Sequence, residues 1–266
     1  MNKYQTLIGA TLFSTLSAVN ATVINTVIDG SDAIWLAGRT DLAIPDASAP
    51  WPGGLIRHGG ATPEEIKETL PPGFSAATGD IIRVLDPADG GISFFNGFGG
   101  SIFGPDGNGV PGSSSISSFG GISGYLGTQG ALVGLFLDSS IPNGVAPSRL
   151  DFSLAGLGVE FSSLSPELNQ VFFIGDGVTS TNLFQTFVAP TGTTRLFVGI
   201  TDAFGFNGAP GAFDDNDGSY RIKIGINEIP TTSSVPEAPL IWLISCGLLG
   251  ILAIRKKSSS ACVLTA

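Results

Sequence analysis

Disulfides are excluded from most of this chain. Its two cysteines are Cys246 and Cys262, and none lies between Thr22 and Pro236. A folded domain in that stretch must be held by its core, and by metal if it binds one. Histidine is equally scarce, His58 standing alone. Zinc centres built from His and Cys are thereby excluded. A Ser-His-Asp triad would have to use His58, and no GxSxG elbow accompanies it. His58 therefore reads as an ordinary loop residue. Cations are few as well: 12 Lys and Arg stand against 22 Asp and Glu, a net charge of −10. Nucleic acid needs clusters of Lys and Arg and is excluded as a partner. No glycine-rich stretch precedes a helix in the manner of a phosphate loop. No repeat of fixed period is present.

Glycine, proline and phenylalanine are plentiful, at 38, 17 and 18 residues, while only 13% of the chain is charged. That composition belongs to an all-β protein with many turns. Strands are expected at 23–28, 33–36, 79–85, 91–95, 131–137, 150–154, 171–174, 183–188, 194–201 and 220–226. In the last of these Tyr220, Ile222, Ile224 and Ile226 alternate with Arg221, Lys223 and Gly225, the period of a half-buried strand. Residues 79–85 and 91–95 read as a hairpin-like pair around Asp86-Pro87-Ala88-Asp89-Gly90. Residues 96–124 are rich in Gly and Ser, but the spacing of Phe94, Phe95, Phe98, Phe103 and Phe119 predicts that they pack on the sheet. The one helix expected inside the domain is 62–70, opened by Thr62-Pro63-Glu64-Glu65 and stopped by Pro71-Pro72. Its Glu64, Glu65 and Glu68 read as a solvated face. Short strands with turns between them predict an antiparallel sandwich or barrel.

Both ends read as addresses. Lys3 precedes the apolar run 7–16, and Ala21 with Val19 two before it suits signal-peptidase cleavage. Near the other end Val235-Pro236-Glu237-Ala238-Pro239 precedes an apolar run, 240–254, and then Arg255-Lys256-Lys257. As a helix the run reaches about 22 Å, so spanning a core of roughly 30 Å requires tilt or thinning. The basic trio would stay on the cytoplasmic side. Box, short helix and basic cluster, in that order, resemble the PEP-CTERM sorting signal of Gram-negative bacteria, although the box here reads PEA. The resemblance implies handling by an exosortase, a membrane-held intermediate, and release to the cell surface or extracellular matrix. The expected organisation is a signal peptide at 1–21, a β domain at 22–228, a spacer at 229–234, a sorting and transmembrane segment at 235–257 and a tail at 258–266. Removing both ends takes away Lys3, Arg255, Lys256 and Lys257 but only one acid, Glu237, leaving the domain more acidic.

The stretch that carries chemistry is 196–226, read as strand, long loop, strand. Its loop holds Asp202, Asp214, Asp215, Asn216 and Asp217. Carboxylates held close repel one another unless a positive charge sits among them. Solvated turns satisfy this in one way and a hard cation such as calcium in another. The loop is not an EF-hand: with Gly218 at the sixth place, Phe213 and Ile224 would fall where ligands belong.

Several pieces of this half occur together and in order: Val188-Ala189-Pro190, Asp202, Pro210-Gly211-Ala212-Phe213, Asp215-Asn216 and Gly218-Ser219-Tyr220. Upstream stand Asn96-Gly97, Phe103-Gly104-Pro105 and Gly130-Ala131-Leu132-Val133. Together they resemble the calcium-dependent galactose-binding bacterial lectins, small jelly-roll-like β-sandwiches of the galactose-binding-domain type. The resemblance implies calcium held by the side chains of Asp202, Asp215 and Asn216 and by the carbonyls of Phe103 and Ala212. Two sugar hydroxyls would complete the shell, with Asp202 and Asp215 touching the sugar. The loop after Asp202 is longer here, Asp215 replaces the family's usual Asn, and the family's upstream His and Gln have no counterpart near 122–125. The function expected is a non-enzymatic exported protein that binds carbohydrate, such as extracellular polysaccharide, through calcium. The alternative is a structural matrix protein of the same fold that binds no sugar. A secreted glycosidase would need two carboxylates across a cleft, and no pairing in the sequence suggests one.

Overall fold

The alternation of apolar and charged residues at 220–226 is realised directly. Tyr220, Ile222, Ile224 and Ile226 are buried, while Arg221 is exposed and Lys223 half-exposed. The computed structural model describes residues 21–46, 49, 51, 56, 67–96 and 101–230. Residues 1–20 of the expected leader, the expected sorting residues Val235, Pro236, Glu237, Arg255, Lys256 and Lys257, and His58, Glu64 and Glu65 lie outside the described residues. The chain forms two compact units, Met1–Pro230 and Thr231–Ala266, and only the first contains described residues. Among the described residues no helix is long and apolar enough to cross a membrane.

In chain order the strands are β1 (Thr22–Asp29), β2 (Gly73–Ser75), β3 (Ile81–Ser93), β4 (Ser114–Ile116), β5 (Tyr125–Gly127) and β6 (Leu132–Leu137). There follow β7 (Ser163–Leu164), β8 (Phe172–Phe173), β9 (Thr186–Val188), β10 (Arg195–Ile200), β11 (Asn207–Gly208) and β12 (Asp217–Ile226). They build a five-stranded sheet, β1-β12-β3-β9-β7, a four-stranded sheet, β2-β10-β6-β8, and a small third sheet, β11-β4-β5. The pairs β7–β9 and β4–β11 are parallel and the others antiparallel. Among the described residues the only helical pieces are short 3-10 turns. The protein is all-β, with two larger sheets sharing one core, consistent with a sandwich.

Burial explains which strands read as apolar runs and which as alternations. Every residue of β6 is buried, as are five of six in β10, because these are the middle strands of their sheet. The sheets meet through aromatic rings. Phe172 of β8 lies 5.1 Å from Phe136 of β6 and 5.1 Å from Phe187 of β9 in the other sheet. Gly134 makes this possible, since a Cβ there would come within 2.4 Å of the Phe172 ring.

Four expectations are corrected. Residues 79–95 are not a hairpin: β3 runs continuously for 13 residues along β12. Asp86 pairs with Lys223 and Asp89 with Arg221, so Pro87 and Ala88 together oppose Ile222. This is a bulge, which accommodates a proline that has no amide to donate. Residues 34–36 form a buried 3-10 turn, not a strand, and the Trp35 indole donates to the Ser123 carbonyl at 2.9 Å. Residues 150–154 contribute one isolated bridge, Leu126 to Asp151, in place of a strand. Glu68 is not on a solvated helix face. The described end of that segment is not helical, and Glu68 is fully buried, accepting from the Trp51 indole at 3.2 Å.

The glycine-rich stretch does pack down, as its phenylalanines predict. Phe103 pairs with Ile92 of β3, and its ring lies 5.4 Å from Phe94. Phe98 lies outside the described residues. Because Phe172 joins the two sheets, Phe172→Ala should destabilise the domain by about 3–5 kcal/mol. Urea unfolding monitored by tryptophan fluorescence measures this.

Candidate metal and ligand site

β10 ends at Ile200 and delivers Thr201 and Asp202 into the interior; both are buried. β12 begins at Asp217, just after Asp214, Asp215 and Asn216. The loop between the two strands is fastened at three places. Ala203 bridges Pro210, and the Gly211 amide donates to the Asp202 carbonyl at 3.3 Å. β11 joins β4 of the third sheet. Phe206 sets its ring 5.6 Å from Phe94 and 5.8 Å from Phe95. The entry to β12 is fastened to β1, where the Gly30 amide donates to the Gly218 carbonyl at 3.0 Å. Gly218 has φ +94, and a Cβ there would lie 2.2 Å from the Gly91 carbonyl, so only glycine fits this approach to β3.

This fastening collects acids in the interior. Asp202 is 2% exposed, Asp214 0%, Asp215 8% and Asn216 1%. Burial holds the Asp202 carboxyl well above the usual carboxylate range, and the nearby Asp215 and, less strongly, Asp214 push it the same way. Opposing them are the Ala203 amide, donating at 2.7 Å, and the Asn216 side chain. Among the described residues, no cation is one of the groups acting on Asp202.

Asn216 completes the accounting. Its Nδ2 donates to the Gly30 carbonyl at 3.0 Å and its side chain bonds Asp202, which uses the two amide hydrogens. Its Oδ1 is buried without a hydrogen-bond partner. An orphaned buried acceptor costs about 1–3 kcal/mol. An oxygen donor set of carboxylates and a carboxamide is what calcium takes, so these residues fit a hard cation chemically. Among the described residues no three His, Cys, Asp or Glu side chains converge into a metal-holding group in the arrangement the chain adopts.

Of the five residues proposed from sequence as ligands, Asp202, Asp215 and Asn216 come together. Ala212 follows Gly211, whose amide bonds the Asp202 carbonyl; it is buried and held at φ 66, a left-handed conformation that costs a non-glycine residue energy. Phe103 reaches the same end of the sheet, since its ring and that of Phe206 share Phe94. Its carbonyl, however, faces other donors, accepting the Ile92 amide at 3.0 Å and lying 3.2 Å from the Tyr220 hydroxyl.

Sequence reasoning missed three participants. Asp214 stood in the acidic run, but only the fold shows that it is buried and acts on Asp202. Gly30 enters through its carbonyl, which carries no residue signature. Asp32, in the segment between the first two expected strands, is buried and takes the Thr69 hydroxyl at 2.5 Å and the Asp29 amide at 2.9 Å. Beside Asn216 a surface depression of about 580 Å³ opens, bordered by Asp29, Lys67, Thr69 and Asp217.

Comparison of the chain with protein-family models, with curated proteins and with solved structures finds no match in any of the three.

Burial pushes the Asp32 carboxyl up to about 6, with the Asp29 carboxylate adding to it against the two hydrogen bonds. An unfolded aspartate ionises near 3.9. Between those values the folded chain keeps a proton that the unfolded chain has lost. The stabilisation from this group is therefore complete below about pH 4 and is lost as pH rises through 6. Thermal melts in chelator should show stability falling across that window, and Asp32→Asn should remove a distinct part of the fall.

Proposed function

We propose that this chain is a non-enzymatic, exported carbohydrate-binding protein that holds calcium in the 202–216 loop and meets extracellular polysaccharide there. The observation that carries the reading is the buried pairing of Asp202 with Asn216: a carboxyl crowded by acids next to a carboxamide oxygen with no partner. Calcium would relieve both at once, bringing positive charge to Asp202 and Asp215 and a partner to Asn216 Oδ1. Ala212 would supply a carbonyl, as the lectin resemblance implies. In that reading the sandwich is jelly-roll-like, and sugar hydroxyls approach through the depression beside Asn216, with Asp202 and Asp215 as their contacts. The resemblance of the C-terminal segment to a PEP-CTERM signal supports delivery through an inner-membrane intermediate. Exosortase would then act before release to the surface or matrix of a Gram-negative bacterium.

A second reading has its own observation. The acids and amide are between 0% and 8% exposed, and the Phe103 carbonyl already has donors. That degree of enclosure suits an ion that ties the loop together in a structural matrix protein, with no sugar reaching it.

Calorimetry separates the two. Calcium at about 100 times its dissociation constant should stabilise the fold by about 2.7 kcal/mol. Polysaccharide or galactosides should add a further shift, abolished by chelator, only in the carbohydrate-binding reading. Asp202→Asn should lose the calcium response while melting higher than the wild type in chelator at neutral pH, because it removes an acid whose ionisation burial disfavours. No calcium shift in the wild type would sink both readings.

A further inference from the structure

β1 is the outermost strand of the five-stranded sheet, paired on one side with β12 over all eight of its residues. Among the described residues nothing pairs with its other side. Edge strands are usually blunted by lysine, proline or a bulge. β1 has none of these: its sequence is TVINTVID, its register with β12 is unbroken, and its only charge is Asp29 at the end.

The geometry of the free side follows from the ladder. The Gly30 amide bonds the Gly218 carbonyl just beyond the strand. Narrow and wide pairs alternate in an antiparallel ladder. Ile28, Thr26 and Ile24 therefore direct their main-chain groups towards β12, while Val27, Asn25 and Val23 direct theirs to the open edge. Those three residues also carry the exposed face. Val23 is 45% exposed and Val27 51%, whereas Ile28 is buried. Main-chain hydrogen-bonding capacity and exposed apolar surface thus coincide on one strand.

We propose that β1 pairs with β1 of a second copy, antiparallel about a two-fold axis at Asn25, joining two five-stranded sheets into one. Residues that face one another across an antiparallel pair lie on the same side of the sheet. In this register Val23 of each protomer meets Val27 of its mate, and Asn25 meets Asn25. All three are positions whose main-chain groups are directed outward, so hydrogen bonding and side-chain pairing agree. A copy of the same chain suits this edge on charge as well. The chain has a net charge of −10, so two copies repel over most of their surfaces, yet 22–28 carries no charge. On the neighbouring strand Arg221 and Lys223 are already paired with Asp89 and Asp86, each at 2.9 Å. The interface is isologous and closes at two copies.

The test uses the full chain with Cys246→Ser and Cys262→Ser, sized by light scattering after gel filtration. It should run as a dimer, and Val23→Lys or Val27→Lys should halve its mass by setting a charged lysine against the facing valine in place of the apolar pair. Both sites are exposed, so the circular dichroism should stay that of the parent, and the melting temperature should fall only by what dimerisation contributes. Asn25→Cys adds a readout that does not depend on tolerating a lysine. Facing residues in such a pair have Cα atoms about 5.5 Å apart, inside the roughly 4.4–6.8 Å that a disulfide spans. Mild oxidation should cross-link Asn25→Cys across the axis and leave Val110→Cys, at an exposed site elsewhere, uncross-linked. A parent chain that is monomeric, its edge left to a strand of another protein, would overturn the proposal. So would a dimer that keeps its mass in both lysine variants while Asn25→Cys fails to cross-link.

Discussion

The ladder of β12 between β1 and β3 is the constraint on which the rest depends. It joins the first strand of the domain, a long middle strand and the last strand into one surface. Its lower end is where the acids gather, because the chain enters β12 directly from Asp214, Asp215 and Asn216. The close approach of Gly218 to Gly91 and the bond from Gly30 fix that entry. A side chain at Gly218 would part β3 from β12 and move Asn216 away from Asp202. The site is therefore a property of the sheet more than of the loop.

The sheet also explains why burying like charges is tolerated. Phe206, Phe94, Phe95 and Phe103 form an aromatic patch beside the loop, and Phe213 is buried with its ring 6.5 Å from Trp35. Burying apolar ring area stabilises by about 25 cal/mol per Å², a contribution opposite in sign to the burial of the Asp202 carboxyl. The outer face of the same sheet shows the opposite economy. Arg221–Asp89 and Lys223–Asp86 are exposed pairs flanking the bulge, and pairs of that kind contribute little.

Much of this was legible in the residues. The all-β class followed from glycine, proline and phenylalanine content, and the alternation at 220–226 and the apolar run at 131–137 located two strands of different burial. The acidic loop stood out in the sequence, and the fold brings its Asp202, Asp215 and Asn216 together in the interior. What escaped was decided by contacts distant in sequence. Asp-Pro-Ala-Asp-Gly has the composition of a turn, yet β12 offers it a bulge and the strand continues. The Glu68 segment has helix-start chemistry, yet Glu68 points inward to Trp51. Ile34, Trp35 and Leu36 are apolar enough for a strand, but the Trp35 indole finds its acceptor 88 residues away. Main-chain participants such as Gly30 leave no trace in composition at all.

The pairing of Thr22 with Ile226 has a further consequence. The first strand of the domain waits for its neighbour until about 200 residues have followed, the kind of non-local closure that makes β proteins slow to fold. A ribosome that still holds the final strand therefore holds a chain in which β1 has no neighbour to zip onto.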